Sequence, residues 1–157
     1  MTETDDFAAT LNATLDGWNA AMGIRFVRAN GSEVVAEVVI GPVHRQPYGI
    51  VHGGVHAGII ETVTSTGAGL YAAGSGKAVV GLENHTSFLK AVREGTLHIT
   101  ALPLTRGRTT QVWEAKTTDD AGRLVATGRV RLLTIDPTEG IAGAGIPPAL
   151  VAVLAKT

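Results

Sequence analysis

Phe7, Leu11, Leu15 and Trp18 recur at helical spacing through residues 6–21, which predicts a short amphipathic helix. The period then changes. The run GIRFVRANGSEVVAEVVI (23–40) reads as two strands around Asn30-Gly31, a pair that signals a two-residue hairpin turn. Pro42, Pro47 and Gly49 make 41–51 a loop. A second helix is predicted from Gly53-Gly54 to about Ala73. After Gly74-Ser75-Gly76 come four strand-like runs, at 78–90, 95–105, 109–118 and 123–135. Their turns are Arg93-Glu94-Gly95, Arg106-Gly107-Arg108 and Asp119 to Gly122. This order predicts an α+β fold, an antiparallel meander of consecutive strands with a helix on one face. Residues 1–22 form the N-terminal helical segment, 23–135 the domain proper, and 136–157 a loosely attached tail rich in Pro, Gly and Ala.

The central helix is a poor helix by local preference. Gly58, Gly67 and Gly69 lie inside it, and each costs roughly 1 kcal/mol relative to Ala. Thr62, Val63, Thr64 and Thr66 add β-branched side chains that lose rotamer freedom in a helix. Burial must hold it, with small residues letting neighbours approach closely. A sheet wrapped around the helix meets that need.

Composition narrows the class. The 157 residues suit one domain. They are 45% apolar and 17% charged, with a formal net charge of −1, so neither a disordered chain nor a dedicated nucleic-acid or anionic-membrane binder is expected. The absence of cysteine removes disulfide scaffolds, Cys-based zinc or iron–sulfur sites and a cysteine nucleophile. The acidic start carries no signal-like pattern and no run is long and apolar enough to span a membrane, so a cytoplasmic location is expected.

Candidate chemistry gathers between residues 46 and 65. His52-Gly53-Gly54 opens the central helix, and the amides of Gly53 and Gly54 are expected to point out of its first turn, where they and the helix dipole can polarise a carbonyl oxygen. A plain glycine-rich connection is the competing reading. Glu61 is the only formal charge between Arg45 and Lys77, and a carboxylate on so apolar a helix is costly unless paired or used. Ser65 follows four residues later on the same face. Gly53 and Glu61 are eight residues apart, or ~12 Å along a helix. A catalytic carboxylate must come within ~3 Å of its target or reach it through one water. One helix therefore cannot both polarise a carbonyl at its start and attack it with Glu61. Two copies of the chain, each offering its helix start to the other's carboxylate, can; a homodimer is therefore expected.

Three segments, HRQPYGIVHGGVHAGIIETVTS, KAVVGLENHTSFLKAVREG and LTRGRTTQVWEAKTTDDAGRLVATGRVRL, together resemble the hotdog-fold acyl-CoA thioesterases of the PaaI-like superfamily. The resemblance is closest to the branch holding the Arthrobacter-type 4-hydroxybenzoyl-CoA and 1,4-dihydroxy-2-naphthoyl-CoA thioesterases, and covers roughly residues 23–135. It implies a curved antiparallel sheet around the central helix and hydrolysis of an acyl-CoA, aromatic by the branch. It gives Glu61 the part of nucleophile or general base, and Gly53 that of amide donor to the thioester oxygen. Gln46 then orients the thioester, His52 supports that end, and Ser65 stands where the family has Thr or Ser near the hydrolytic water. For binding of substrate and coenzyme A it implicates Gly54, Lys90 and the turn Arg106, Gly107, Arg108 and Thr109, with Asn84 and His85 lining the acyl or pantetheine channel. No cofactor beyond the coenzyme A of the substrate is implied, and the dimers are expected to pair into a tetramer.

Other readings are weaker. GSGK at 74–77 lacks the P-loop pattern, because Tyr71 and Ala78 stand where Gly and Ser or Thr are needed. His52 and His56 with Glu61 have no HExxH spacing and no third ligand, so no metal is expected. No GxSxG elbow is present. A non-catalytic acyl-CoA-binding protein and a dehydratase acting on acyl carrier protein remain as alternatives on the same fold.

Overall fold

A computed structural model describes residues 5–137. The elements run α1 (Ala8–Ala13), α2 (Gly17–Ala21), β1 (Arg25–Ala29), β2 (Val34–Val39), α3 (Gly53–Ala73), β3 (Ala78–Phe88), β4 (Thr96–Arg106), β5 (Thr110–Thr118) and β6 (Leu124–Ile135), with one 3-10 turn at Pro42–His44. The expected α+β architecture is present: one six-stranded sheet, antiparallel at every pairing, packed on one long helix. The tail lies beyond the described residues from 138 onward.

Alternation along the strands builds the core. Leu97, Ile99 and Ala101 of β4, Trp113 and Ala115 of β5, and Val130 and Leu132 of β6 are fully buried on the face that meets α3. Trp113 sits over Gly67, where a Cβ would come within 2.5 Å of the indole. Its Nε1–H donates to Gln111 Oε1 at 3.0 Å, and Gln111 Nε2 donates to the Ala68 carbonyl at 3.2 Å. Gly58 receives Trp18 of α2 in the same way, at 2.5 Å. Two of the glycines that weaken α3 locally, Gly58 and Gly67, are thus the seats of indoles.

Three expectations need correction. The helix over 6–21 is two short helices, because Thr14 ends α1 with its hydroxyl bonded back to the Thr10 carbonyl and Gly17 turns the chain at φ +52°. The β1–β2 turn spans residues 30–33 instead of two residues. The Asn30 side chain accepts from the amides of Ser32 and Glu33, and the Asn30 amide donates to Glu33 O. An Asx-type turn has replaced the tight asparagine–glycine hairpin.

The meander is the third. The strand order is β1-β2-β4-β5-β6-β3, so β3 pairs with β6 and β4 with β2. Residues 89–95 carry the chain from β3 back across the end of the sheet. Leu89 and Lys90 donate to Val125 O, Val51 donates to Val92 O, and Ile40 donates to Gly95 O. This path leaves β3 as an edge strand and lays the 89–95 connection beside the start of α3.

Candidate active site

The start of α3 is fixed from the loop before it. His44 is buried; the Gly41 amide donates to its Nδ1 at 2.8 Å and its Nε2 lies 3.0 Å from the Met22 carbonyl, which makes Nε2 the protonated nitrogen. The His52 amide donates to the His44 carbonyl, and His52 caps α3 in extended conformation with Nδ1 accepting from the Gly54 amide at 2.8 Å. The outward-pointing Gly54 amide expected from the sequence is therefore engaged by its own cap. The Gly53 amide has no acceptor among the described residues. It faces a cleft of about 470 Å³ walled by Gln46, His52, His56, Phe88, Leu89 and Lys90.

Two turns further along, the Glu61 carboxylate is held on both oxygens. Ser65 Oγ donates to Oε1 at 3.3 Å, and Asn84 Nδ2 donates to Oε2 at 2.9 Å. Asn84 also donates to the Ala57 carbonyl at 3.0 Å and accepts from Thr86 Oγ1 at 2.7 Å, which fixes the amide's orientation. Gly81 leaves space for the carboxylate, since a Cβ there would stand 2.6 Å from Oε1. Half-buried, with two neutral donors and no cation bonded to it among the described residues, Glu61 keeps lone pairs for a water or an electrophile.

The other expected residues divide. Asn84 shares the inner face with its register partner Val130, which is fully buried, whereas His85 pairs with exposed Arg129 on the outer face, away from Glu61. Lys90 lies on the rim of the Gly53 cleft. Arg106 is at the other end of α3. Its guanidinium stacks 4.5 Å from the Tyr71 ring and donates to the Gly31 carbonyl at 2.9 Å, tying the β1–β2 turn to the helix end. Tyr71 lies 18 residues beyond Gly53, ~27 Å along the helix. One chain therefore does not bring Lys90 and Arg106 to the same phosphate. Arg108 and Thr109 are exposed in the following turn, where Gly107 donates to Thr110 O and the Thr109 carbonyl accepts from the Thr134 amide.

Sequence reasoning assigned no function to His56. One turn into α3, it is 3% exposed, its ring lies 6.1 Å from that of Phe88, and its Nδ1 is enclosed without a hydrogen-bond partner. Desolvation lowers its pKa, favouring the neutral imidazole. The helical spacing of His52 and His56 was legible only as a failed zinc pair; burial is what distinguishes His56.

Comparison with known proteins identifies the family of the fold. The family described as Thioesterase superfamily matches residues 48–126, which include the helix start, Glu61 and Asn84. Rv1847 of Mycobacterium tuberculosis, an esterase in name, is 36% identical over 138 residues, covering 87% of this chain and 98% of that one. The structure of AziG from S. sahachiroi is 41% identical with a TM-score of 0.74, over 77% of this chain and 98% of the other. A mutant thioesterase from Pseudomonas aeruginosa superposes with a TM-score of 0.77 at 25% identity, over 84% and 95%. With its six-stranded sheet on a single long helix and a matching span that takes in both ends of the site, the chain belongs to the thioesterase superfamily.

Proposed function

We propose that this protein hydrolyses an acyl-CoA thioester, with an aromatic acyl group, at a site shared between two copies of the chain. The observation that carries the reading is the pairing of features on α3: an unclaimed Gly53 amide opening on a cleft, and a Glu61 carboxylate held by Ser65 and Asn84. The Gly53 amide and helix dipole polarise the thioester carbonyl, and stabilise negative charge as it grows on the oxygen. Glu61 of the other copy either takes a proton from water as the water oxygen bonds to the carbonyl carbon, or attacks that carbon itself. With Glu61 as base, the carbon–sulfur bond breaks, the proton taken from water passes from Glu61 to the departing sulfur, and acid and coenzyme A thiol are released. With Glu61 as nucleophile, the sulfur leaves as thiolate and is protonated by solvent, and water then cleaves the acyl–Glu61 anhydride to release the acid and restore the carboxylate. The esterase and thioesterase names of the relatives support the hydrolytic class.

The dimer has independent support. β3 is an 11-residue edge strand, with Leu82 and Phe88 50% and 57% exposed. An uncovered edge carrying large apolar side chains is a template for pairing with another chain. Release of free thiol from acyl-CoA, followed with a disulfide dye, tests the reaction. A binding protein would release none, and a dehydratase would instead change enoyl absorbance.

Composite sites make a sharper expectation. Glu61→Gln and Gly53→Val, the latter pushing on the Phe88 ring that a Cβ would already meet at 2.7 Å, should each be inactive alone. Co-refolded chains should regain up to about a quarter of wild-type turnover, because half the dimers are mixed and each mixed dimer keeps one intact site. Mixed dimers without recovery would place both groups of a site in one chain.

At the nucleotide end, we assign phosphate contact to Arg108 of one copy and Lys90 of the other, which the shared site brings together, and a structural part to Arg106. Arg108→Ala should raise KM for the CoA ester several-fold and spare kcat. Arg106→Ala should lower the melting temperature, by loss of its stack on Tyr71 and its bond to Gly31. The reverse pattern would exchange the two assignments.

A further inference from the structure

His56 is a buried polar group at the cleft that the reaction does not use. Its ring is walled in by the helix start and Phe88, it borders the Gly53 cleft, and its Nδ1 meets no donor or acceptor among the described residues. A buried imidazole nitrogen left unpaired costs free energy that a phenyl ring or leucine at the same position would not. An apolar residue would line the cleft at lower cost, so the imidazole is informative where it stands. It lies three residues beyond Gly53, about 4.5 Å along the helix. A group held by the Gly53 amide therefore brings its nearest substituents within reach of the ring.

We propose that the His56 imidazole hydrogen-bonds a hydroxyl or amide of the substrate inside the Gly53–Phe88 cleft and so determines which esters the site accepts. Charge considerations give the chemical class. Burial disfavours the imidazolium, and a neutral imidazole offers one N–H donor and one lone pair, which match a neutral group able to donate or accept. A plain hydrocarbon acyl group would leave the nitrogen unpaired, and the site would discriminate against it for that reason. The polar group can reside on the acyl portion, as a hydroxyl, or on the pantetheine arm, as an amide. This inference rests on the acyl-CoA reading above, but its test does not require hydrolysis.

The test uses thioethers that cannot be cleaved: benzyl-CoA and its 2-, 3- and 4-hydroxybenzyl counterparts, with Kd measured by titration calorimetry on the full-length protein. His56→Phe keeps a ring packed against Phe88 and removes both nitrogens. His56→Asn and His56→Gln restore a polar nitrogen near the Nδ1 and Nε2 positions respectively. If the group is on the acyl portion, His56→Phe should weaken binding of at least one hydroxybenzyl thioether by about 10- to 100-fold and leave benzyl-CoA unchanged. If it is on the pantetheine arm, all four should weaken together by a similar factor. In either case Asn or Gln should recover part of the loss. Unchanged Kd values for all four would overturn the proposal. So would a lower melting temperature or altered dimer dissociation with the Kd values in place, since that is the behaviour of a packing or subunit-contact residue. Failure of the hydrolytic reading is separate: it would show as wild-type protein that releases no thiol, whatever the thioether affinities.

Discussion

Glu61→Gln is expected to lower kcat for acyl-CoA hydrolysis by about 10² to 10⁴, the range for loss of a general base. The side chain keeps its shape. Its surroundings accept the change, since Asn84 Nδ2 can donate to the remaining carbonyl oxygen and the Ser65 hydroxyl can reverse to accept from the new amide. Melting temperature and assembly should therefore match wild type, and the loss should appear in turnover, whether Glu61 acts as base or nucleophile. Thiol release under saturating ester, beside a thermal melt, is the measurement. Turnover near wild type would remove Glu61 from the chemistry, and with it the need for two chains per site.

The second large effect is on stability. Gly67→Val should cost about 3 kcal/mol, the upper end for overpacking a core, because its Cβ would meet the Trp113 indole at 2.5 Å. That indole has no exposed side to retreat to, and its N–H is tied through Gln111 to the helix backbone at Ala68. At roughly 2–4 °C per kcal/mol for a domain of this size, the melt should fall by about 6–12 °C. Gly69→Ala is the companion. The nearest atom to its Cβ is Val79 Cγ2 at 3.8 Å, an ordinary contact, so alanine should leave stability unchanged or raise it by up to about 1 kcal/mol. If the two variants melt alike, close packing against the indole is not what selects glycine at 67.

Much of the helix and of the candidate site on it was legible because the signals are local. The HGG start, the isolated charge at 61 and the hydroxyl at 65 lie within one element whose geometry is known once it is recognised as a helix. The glycines in α3 pointed to close neighbours, and Trp18 and Trp113 are those neighbours. What escaped depends on partners distant in sequence. Pairing of β3 with β6 instead of β4 joins residues far apart in the chain, from Phe88 with Ala126 to Ala78 with Ile135, and nothing local announces it. Arg106 looked like a turn charge because Tyr71 and Gly31 come to it from two other elements. Asn84 and His85 looked equivalent until the sheet assigned them opposite faces. The break at Gly17 needed a positive φ that apolar spacing does not report.

The position of β3 at the far edge bears on how the chain acquires its site. Asn84, which steadies the carboxylate, stands on a strand whose ladder partner, β6, is the final strand of the sheet in chain order. Synthesis proceeds from the N-terminus, so Glu61 and Asn84 have both emerged while the scaffold that aligns them is still missing. A chain stopped before Leu124 would hold every residue of the proposed carboxylate site and lack the strand that gives β3 its register. Closing that non-local pair is entropically costly. In a chain made from its N-terminus, the proposed carboxylate site therefore has its aligning ladder only once β6 has been added to the sheet.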